Sequence, residues 1–560
     1  MTDKPVPRGY GAAFLDRLMG WMHSLPPEKC SYTVTPVKIP LEGEDDVQLL
    51  ANLLQPVTKG NESPAGTILM QSVYGRELPI SLNARVFPPR GYNVLLVSTR
   101  GTFGSGGQFD PARTDGADGP RVVKWMRKQP WYTGTFATVG ASFLGYTQWA
   151  VMGSDDALDD MVAAVPSIAP HDFSELIWGT GAFWLPCVDW ARNTTTQETS
   201  SAVKTIYSML TADAQGLIEV KKSVPMVDGA KAHLGDKTPW LYEWMTRPDW
   251  ENDAYYKPMK QGKALDNTKA AVLLTGGWQD MFTPGTTEQF RRLSERGCTV
   301  AMTIGPWSHM QAANGEGMMK DTLDWLDKYL AKRKTGDIRL APVKVKVTGI
   351  DEWRWLTSWP PATKPLELHL DSQGQLGREQ PARTDESSFK FDPHDPTPTL
   401  GGGLLFGGGY VNDTALAKRP DVLSFTTAPL DHDIEVLGKA RIELTHSSDN
   451  PHVDLFVRVS EVNAKGISHN VTEVYRRLDP SRAPAGKPAK IELDPTDCAH
   501  RFKKGTAIRV MVAGANFPHY GYNLGSGENP GTGTTLRPAT HTVHLGASSG
   551  SKLVLPVSLE

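Results

Sequence analysis

Three residue types, widely spaced along the chain, could together perform acyl transfer: Ser142, Asp280 and His309. A serine hydroxyl is a weak nucleophile until a base removes its proton, and the base needs an acid to fix its tautomer. Ser142 lies in Ala137-Thr138-Val139-Gly140-Ala141-Ser142-Phe143-Leu144-Gly145. Residues 136–139 predict a short buried strand and residues 143–152 a helix, so Ser142 falls at their junction. That is the setting of a nucleophile elbow, a strained turn that lifts the hydroxyl above a sheet and needs small neighbours. The common elbow has glycine two residues after the serine; here that place is Leu144, and the glycine follows at Gly145. Alone, the string fits an ordinary Gly/Ser turn equally well.

The two partners come from strand ends. A strand over 270–275 leads through Gly276-Gly277-Trp278-Gln279 to Asp280, and one over 299–304 leads through Gly305-Pro306-Trp307-Ser308 to His309. Both residues are thereby expected on loops at the carboxyl edge of a parallel sheet, where ligands and catalysis gather. The chain order Ser142, Asp280, His309 is that of an α/β-hydrolase triad. A lone surface histidine would be the plainer reading of His309. Two loops of the right type on the right edge favour the triad.

The elements that must position these residues follow from periodicity. Helical spacing over 10–22 predicts a helix in an N-terminal arm, 1–30. Strands are predicted over 31–39 and 47–55, joined by the acidic turn Gly43-Glu44-Asp45-Asp46. Strands over 66–72, 92–98 and 161–165 then alternate with helices over 116–128 and 143–152. Such alternation implies a mainly parallel sheet covered on both faces, over 31–170 and 263–342. Between them, 171–262 is aromatic, with Trp178, Trp184, Trp190, Trp240, Trp244 and Trp250, and reads as a helical cap insertion. From 343 onward, Val343, Val345 and Val347 alternate with lysines and short strands recur between Pro-, Gly-, Asn- and Asp-rich turns, an all-β sandwich over 343–560. Gly401-Gly402-Gly403 and Gly407-Gly408-Gly409 bracket a loop carrying Leu404-Leu405-Phe406.

With all 560 residues in view, the net charge of −3 gives no reason to expect a nucleic-acid partner. No apolar run suggests a membrane span, and no secretory leader is visible. Cys30, Cys187, Cys298 and Cys498 form no CxxC, so free thiols in a reducing cytoplasm are expected. His541 and His544 lack a third ligand nearby, and no metal or other cofactor is expected.

Several segments together resemble the cocaine esterase / X-Pro dipeptidyl-peptidase family of serine hydrolases. They are Ser98-Thr99-Arg100-Gly101, Gly140-Ala141-Ser142-Phe143-Leu144-Gly145, Gly277-Trp278-Gln279-Asp280 and Gly305-Pro306-Trp307-Ser308-His309. The likeness runs from about residue 31 to the end, including the late Asn516-Phe517-Pro518. It implies an α/β-hydrolase domain with a helical cap, followed by a jelly-roll domain. It also implies Ser142 as nucleophile, His309 as base and Asp280 as orienting acid, with an oxyanion hole made by the Phe143 N–H and the Tyr74 hydroxyl. The family elbow G-x-S-Y-x-G accounts for the position of Gly145. Two departures are Phe143 for the usual tyrosine and Ser98 for the usual aspartate. Phe282, Leu405 and Phe406 match pocket positions of the esterase members; Trp178 and Trp184 could line an acyl pocket or simply form the cap's core.

The resulting expectation is an esterase for small-molecule esters with neutral acyl groups. Relatives that hold an α-amino group place carboxylates two and three residues after the triad aspartate, where this chain has Phe282 and Thr283. Asp172 and Glu175 are the nearby acids that could rescue such a site. An X-Pro dipeptidyl-peptidase or an amide or β-lactam acylase with the same triad is the first alternative, and a binding protein on a hydrolase scaffold the second. Homo-oligomerisation is left open.

Overall fold

The computed structural model describes residues 4–44, 46–58, 62–156, 158–198, 214–334, 336–547 and 550–559. Part of the turn expected at Asp45 and part of the predicted cap, 199–213, lie outside the described residues. Among those described, eleven strands form one sheet: β1 (Val6–Pro7), β2 (Ser31–Pro40), β3 (Gln48–Val57), β4 (Thr67–Ser72), β5 (Asn93–Ser98), β6 (Phe136–Ala141), β7 (Met161–Ser167), β8 (Ala271–Gln279), β9 (Val300–Ser308), β10 (Val343–Val347) and β11 (Glu352–Leu356). Their spatial order is β1-β2-β3-β5-β4-β6-β7-β8-β9-β10-β11. Pairing is parallel from β5 through β4 to β10, and antiparallel at both margins.

Period-two side-chain alternation divides these strands between two cores. Leu69, Leu95 and Val97 join one cluster with Trp149 and Val272. Ile68, Met70, Val94 and Leu96 point the other way, to Ala84, Phe87 and Leu326. Every residue of β4 and β5 is buried, as a central strand covered on both faces requires.

Two expected boundaries move. Val343, Val345 and Val347 belong to β10, which pairs parallel with β9 through Val343↔Met302, so the sheet extends past the expected break after 342. Their alternation with lysine reflects one buried face, and both an edge of this sheet and a sandwich strand would show it. The N-terminal arm is likewise part of the domain: β1 pairs β2, and α1 (Tyr10–Met22) follows it.

Around the sheet lie α2 (Ser81–Arg85), α3 (Asp115–Arg127) and the elbow helix α4 (Phe143–Met152). The cap opens with α5 (Phe173–Trp178) and α6 (Pro186–Thr196) and continues through helices Ala214–Lys222, Met226–Leu234 and Pro239–Thr246. Its aromatic core includes Trp178, Trp190 and Trp244 and is continuous with Phe143 and Tyr146 of α4. The remaining chain is an antiparallel β-sandwich. One of its sheets has the order Val422–Thr426, Ala507–Ala513, Asp454–Val462, Ser468–Arg477. This domain grips the catalytic edge: Asn470 Nδ2 donates to Gln279 Oε1 at 2.8 Å, and Gln279 Nε2 donates to the Val471 carbonyl at 3.0 Å.

Candidate active site

Ser142 sits between β6 and α4 with φ 59° and ψ −124°, a strained backbone for a residue with a side chain. Tight packing holds it there. A Cβ on Gly145 would lie 2.4 Å from Ala169 Cβ and 3.0 Å from the Ser167 carbonyl, and one on Gly140 would lie 2.4 Å from Leu144 Cβ. The glycine that α4 needs is therefore the third residue after the serine, where the helix passes closest to the chain that follows β7.

β8 and β9 run further than the sequence suggests, and Gln279 pairs with Ser308 at their ends. The expected Gly-rich loops are strand, because Trp307 packs back over Gly305 and Trp278 anchors its indole on the Lys346 carbonyl at 2.7 Å. Asp280 and His309 emerge side by side directly after these strands. Ser308 then caps the short helix that His309 begins, in a capping box with Gln311.

The three side chains form one relay. His309 Nε2 is 3.1 Å from Ser142 Oγ, and His309 Nδ1 is 3.1 and 3.3 Å from the two Asp280 carboxylate oxygens. The Asp280 side chain is fully buried and that of His309 is 5% exposed, so water does not compete for the pair. Asp280 Oδ1 also accepts the Phe282 backbone N–H at 2.9 Å. Tyr74 faces Ser142 and accepts the Trp190 indole N–H at 3.1 Å. That acceptance leaves the phenolic proton free to donate. Burial pushes the Tyr74 phenol above its ordinary value, only partly opposed by bonds to Trp190 and Ser142, so it stays protonated. The Phe143 N–H, first of α4, is one of the amides that an α-helix leaves without an internal acceptor.

Beside Ser142 opens a cavity of about 460 Å³, within the usual range for small-molecule sites. Met70, Ile80, Phe87, Val139, Met318 and Met319 supply apolar wall; Leu405 and Phe406 reach in from the sandwich. Three expected pocket residues lie elsewhere. Trp178 is fully buried with its indole on the Trp244 carbonyl, and Trp184 is buried in the same aromatic core. Phe282 packs edge-on against the His309 ring at 5.3 Å, so it supports the base and is not part of the cavity lining. The cap's contribution is instead Trp190, Arg192, Asn193, Thr196 and Gln197. Trp190, Asn193 and Gln197 stand at helical spacing i, i+3, i+7, a signal already in the sequence.

Neither acid considered for an ammonium site lines the cavity; Asp172 caps α5 by accepting the Ser174 and Glu175 amides. Ser98, at the usual aspartate position, accepts a hydrogen bond from Arg76 Nη1. Among the described residues no group of His, Cys, Asp and Glu could hold a metal ion, and no helix is long and apolar enough to cross a membrane.

Comparisons with known proteins agree with this arrangement. The family description X-Pro dipeptidyl-peptidase (S15 family) matches residues 45–311, and X-Pro dipeptidyl-peptidase C-terminal non-catalytic domain matches 337–554. The chain is 25% identical to the cocaine esterase of Rhodococcus sp. (strain MB1 Bresler), covering 93% of this chain and 98% of that protein. An aminopeptidase from a marine-sediment Thaumarchaeota archaeon shares the fold with a TM-score of 0.77 at 20% identity, over 95% of this chain and 98% of that one. An α-amino acid ester hydrolase gives a TM-score of 0.76 at 18% identity, over 94% and 97%. With both halves matched in order and the elbow, strand ends and sandwich in place, the chain belongs to the cocaine esterase / X-Pro dipeptidyl-peptidase family of α/β-hydrolase-fold serine hydrolases.

Proposed function

We propose that the protein hydrolyses carboxylic esters with neutral acyl groups through an acyl-enzyme on Ser142. The observation that carries this is the relay from Ser142 through His309 to Asp280 at 3.1 Å steps, opening onto a cavity whose lining contains no carboxylate among the described residues. His309 Nε2 takes the hydroxyl proton as Ser142 Oγ bonds to the ester carbonyl carbon. The carbonyl oxygen becomes an oxyanion held by the Tyr74 O–H and the Phe143 N–H. Collapse breaks the bond to the alcohol oxygen, which receives the proton from His309. Water then repeats the sequence, its proton passing to His309 and back to Ser142 Oγ, and releases the acid.

Substrate class follows from charge. An α-ammonium group would lose its hydration in this cavity with no carboxylate to replace it, at a cost of several kcal/mol. An apolar acyl group gains roughly 1.5–3 kcal/mol by burial against the methionine-rich wall. The same reasoning disfavours Xaa-Pro amides, which carry a free amino terminus, and a scaffold that only binds would not need the strained Ser142. The test compares kcat/KM for benzoyl or phenylacetyl esters with that for phenylglycine methyl ester and Gly-Pro-p-nitroanilide. Simple esters are expected to lead; preference for either amino-terminal substrate would overturn the reading.

A further inference from the structure

This inference rests on the ester-hydrolase reading and deepens it. The cavity lining holds two basic side chains besides His309, namely His23 and Arg192. Partial burial holds the His23 imidazole below its ordinary range, which leaves Arg192 as the permanent cation of the lining. Arg192 is on α6, two residues after Trp190, whose indole bonds Tyr74. Just beyond the end of that helix, Gln197 Nε2 donates to the Val73 carbonyl at 2.8 Å. The stretch carrying Arg192 is thus tied at both ends to the loop that presents Tyr74, within about one and a half helical turns of each tie.

Among the described residues no carboxylate is hydrogen-bonded to the guanidinium. Asp189, one turn earlier on α6, feels the Arg192 charge but is bonded to Lys221 at 2.6 Å, and no close ion pair or side-chain hydrogen bond engages the Arg192 guanidinium among the described residues. Arg192 is partly buried, and its planar guanidinium fork suits a carboxylate bidentately. A site that presents one unpaired to a substrate cavity selects for a negative charge. The apolar wall of Met70, Ile80, Phe87 and Met318 accounts for the acyl group, which leaves the charge to the alcohol portion.

We infer that the preferred substrates are esters whose alcohol portion carries a carboxylate, with Arg192 of the cavity lining recognising that carboxylate. The full-length enzyme should be assayed on 4-carboxyphenyl butyrate and its neutral isostere 4-carbamoylphenyl butyrate, each rate corrected for hydroxide reactivity. The expected kcat/KM ratio favours the acid by about 10–100-fold, the range for hydrogen bonds to a charged group, and shrinks with added salt. Arg192→Gln should bring the ratio close to unity, mainly through KM; Arg192→Lys should keep part of the preference and Arg192→Glu should invert it. Because each variant is scored by a ratio of two substrates, loss of folded protein cancels. A wild-type ratio at or below unity, or one unmoved by Arg192→Gln, overturns the inference and leaves the ester-hydrolase reading standing. Preference confined to a pair with the carboxylate on the acyl side, phenyl hydrogen glutarate over phenyl glutaramate, overturns the placement. Failure to hydrolyse any of these esters overturns both readings.

Discussion

At the scale of single residues, the site depends on groups that act as a unit. Alanine at Ser142, His309 or Asp280 should each lower turnover by several orders of magnitude, with thermal unfolding showing that the fold persists. A fluorophosphonate probe should label the wild type and not Ser142→Ala. Tyr74→Phe removes one hydroxyl and almost no volume, and should cost about 10²–10³ in kcat, as does loss of one oxyanion donor elsewhere. Trp190→Phe tests a subtler point. It deletes the indole N–H that occupies the Tyr74 oxygen, while a phenyl ring can keep the stacking on Phe143, whose ring is 5.7 Å away and 18° from parallel. A neutral hydrogen bond contributes about 0.5–1.5 kcal/mol, so kcat should fall roughly 2–10-fold, with Tyr74→Phe abolishing the difference. Steady-state kinetics on one phenyl ester checks each of these changes in turnover.

At the scale of elements, the elbow works because α4 lies hard against the end of β7. The space at Gly145 is too small even for a methyl group, with Ala169 Cβ and the Ser167 carbonyl in the way. Gly145→Ala should therefore destabilise the protein by about 1–3 kcal/mol and also lower kcat, since relief of the contact shifts α4, and with it Ser142 and the Phe143 N–H, relative to the chain at 167–169. Denaturant unfolding and kinetics on the same preparation would show both losses together. A Gly145→Ala enzyme with wild-type stability and turnover would mean that the contact relaxes freely. Phe282 illustrates a second device at this scale, its amide holding the Asp280 carboxylate while its ring braces His309.

At the scale of the whole molecule, the sandwich stabilises the catalytic edge and has its own acid sensitivity. His446 and His541 face one another across strands Arg441–Ser448 and Ala539–Leu545, with ring nitrogens 3.1 Å apart, and His541 stacks on Phe389. Burial, reinforced by the neighbouring His544, pushes the His446 imidazole down to about 4, and burial likewise holds His541 well below the ordinary histidine range. The unfolded chain therefore binds protons that the folded sandwich refuses, so stability falls as pH drops from about 6.5 toward 4. For His446 alone the loss is of order 3 kcal/mol at the bottom of that window. Unfolding midpoints measured from pH 7 to 4 should decline, and His446→Gln should flatten part of the slope. An unchanged slope in that variant would assign the acid sensitivity to other groups.

The sequence by itself determined the longer helices outside the cap and most strands, because their periodicity is set by which faces must be buried. Helices Tyr10–Met22 and Phe143–Met152 have the predicted ends, and Ser142 lies on its junction for the same reason. The order of Ser142, Asp280 and His309 along strands of a parallel sheet was equally legible. What only the tertiary structure decided depends on contacts between distant segments. The stretches Gly276-Gly277 and Gly305-Pro306 read as loops, yet they continue as strand because Trp307 closes over them and Trp278 anchors on Lys346. Val343–Val347 joined the large sheet and not the sandwich, since alternation reports one buried face without saying which domain buries it. Among the aromatics, Trp178, Trp184 and Trp190 share one core, and of the three only Trp190 also reaches the cavity. Tryptophan's burial is favourable in either place, and only the seating of α6 over Tyr74 separates them.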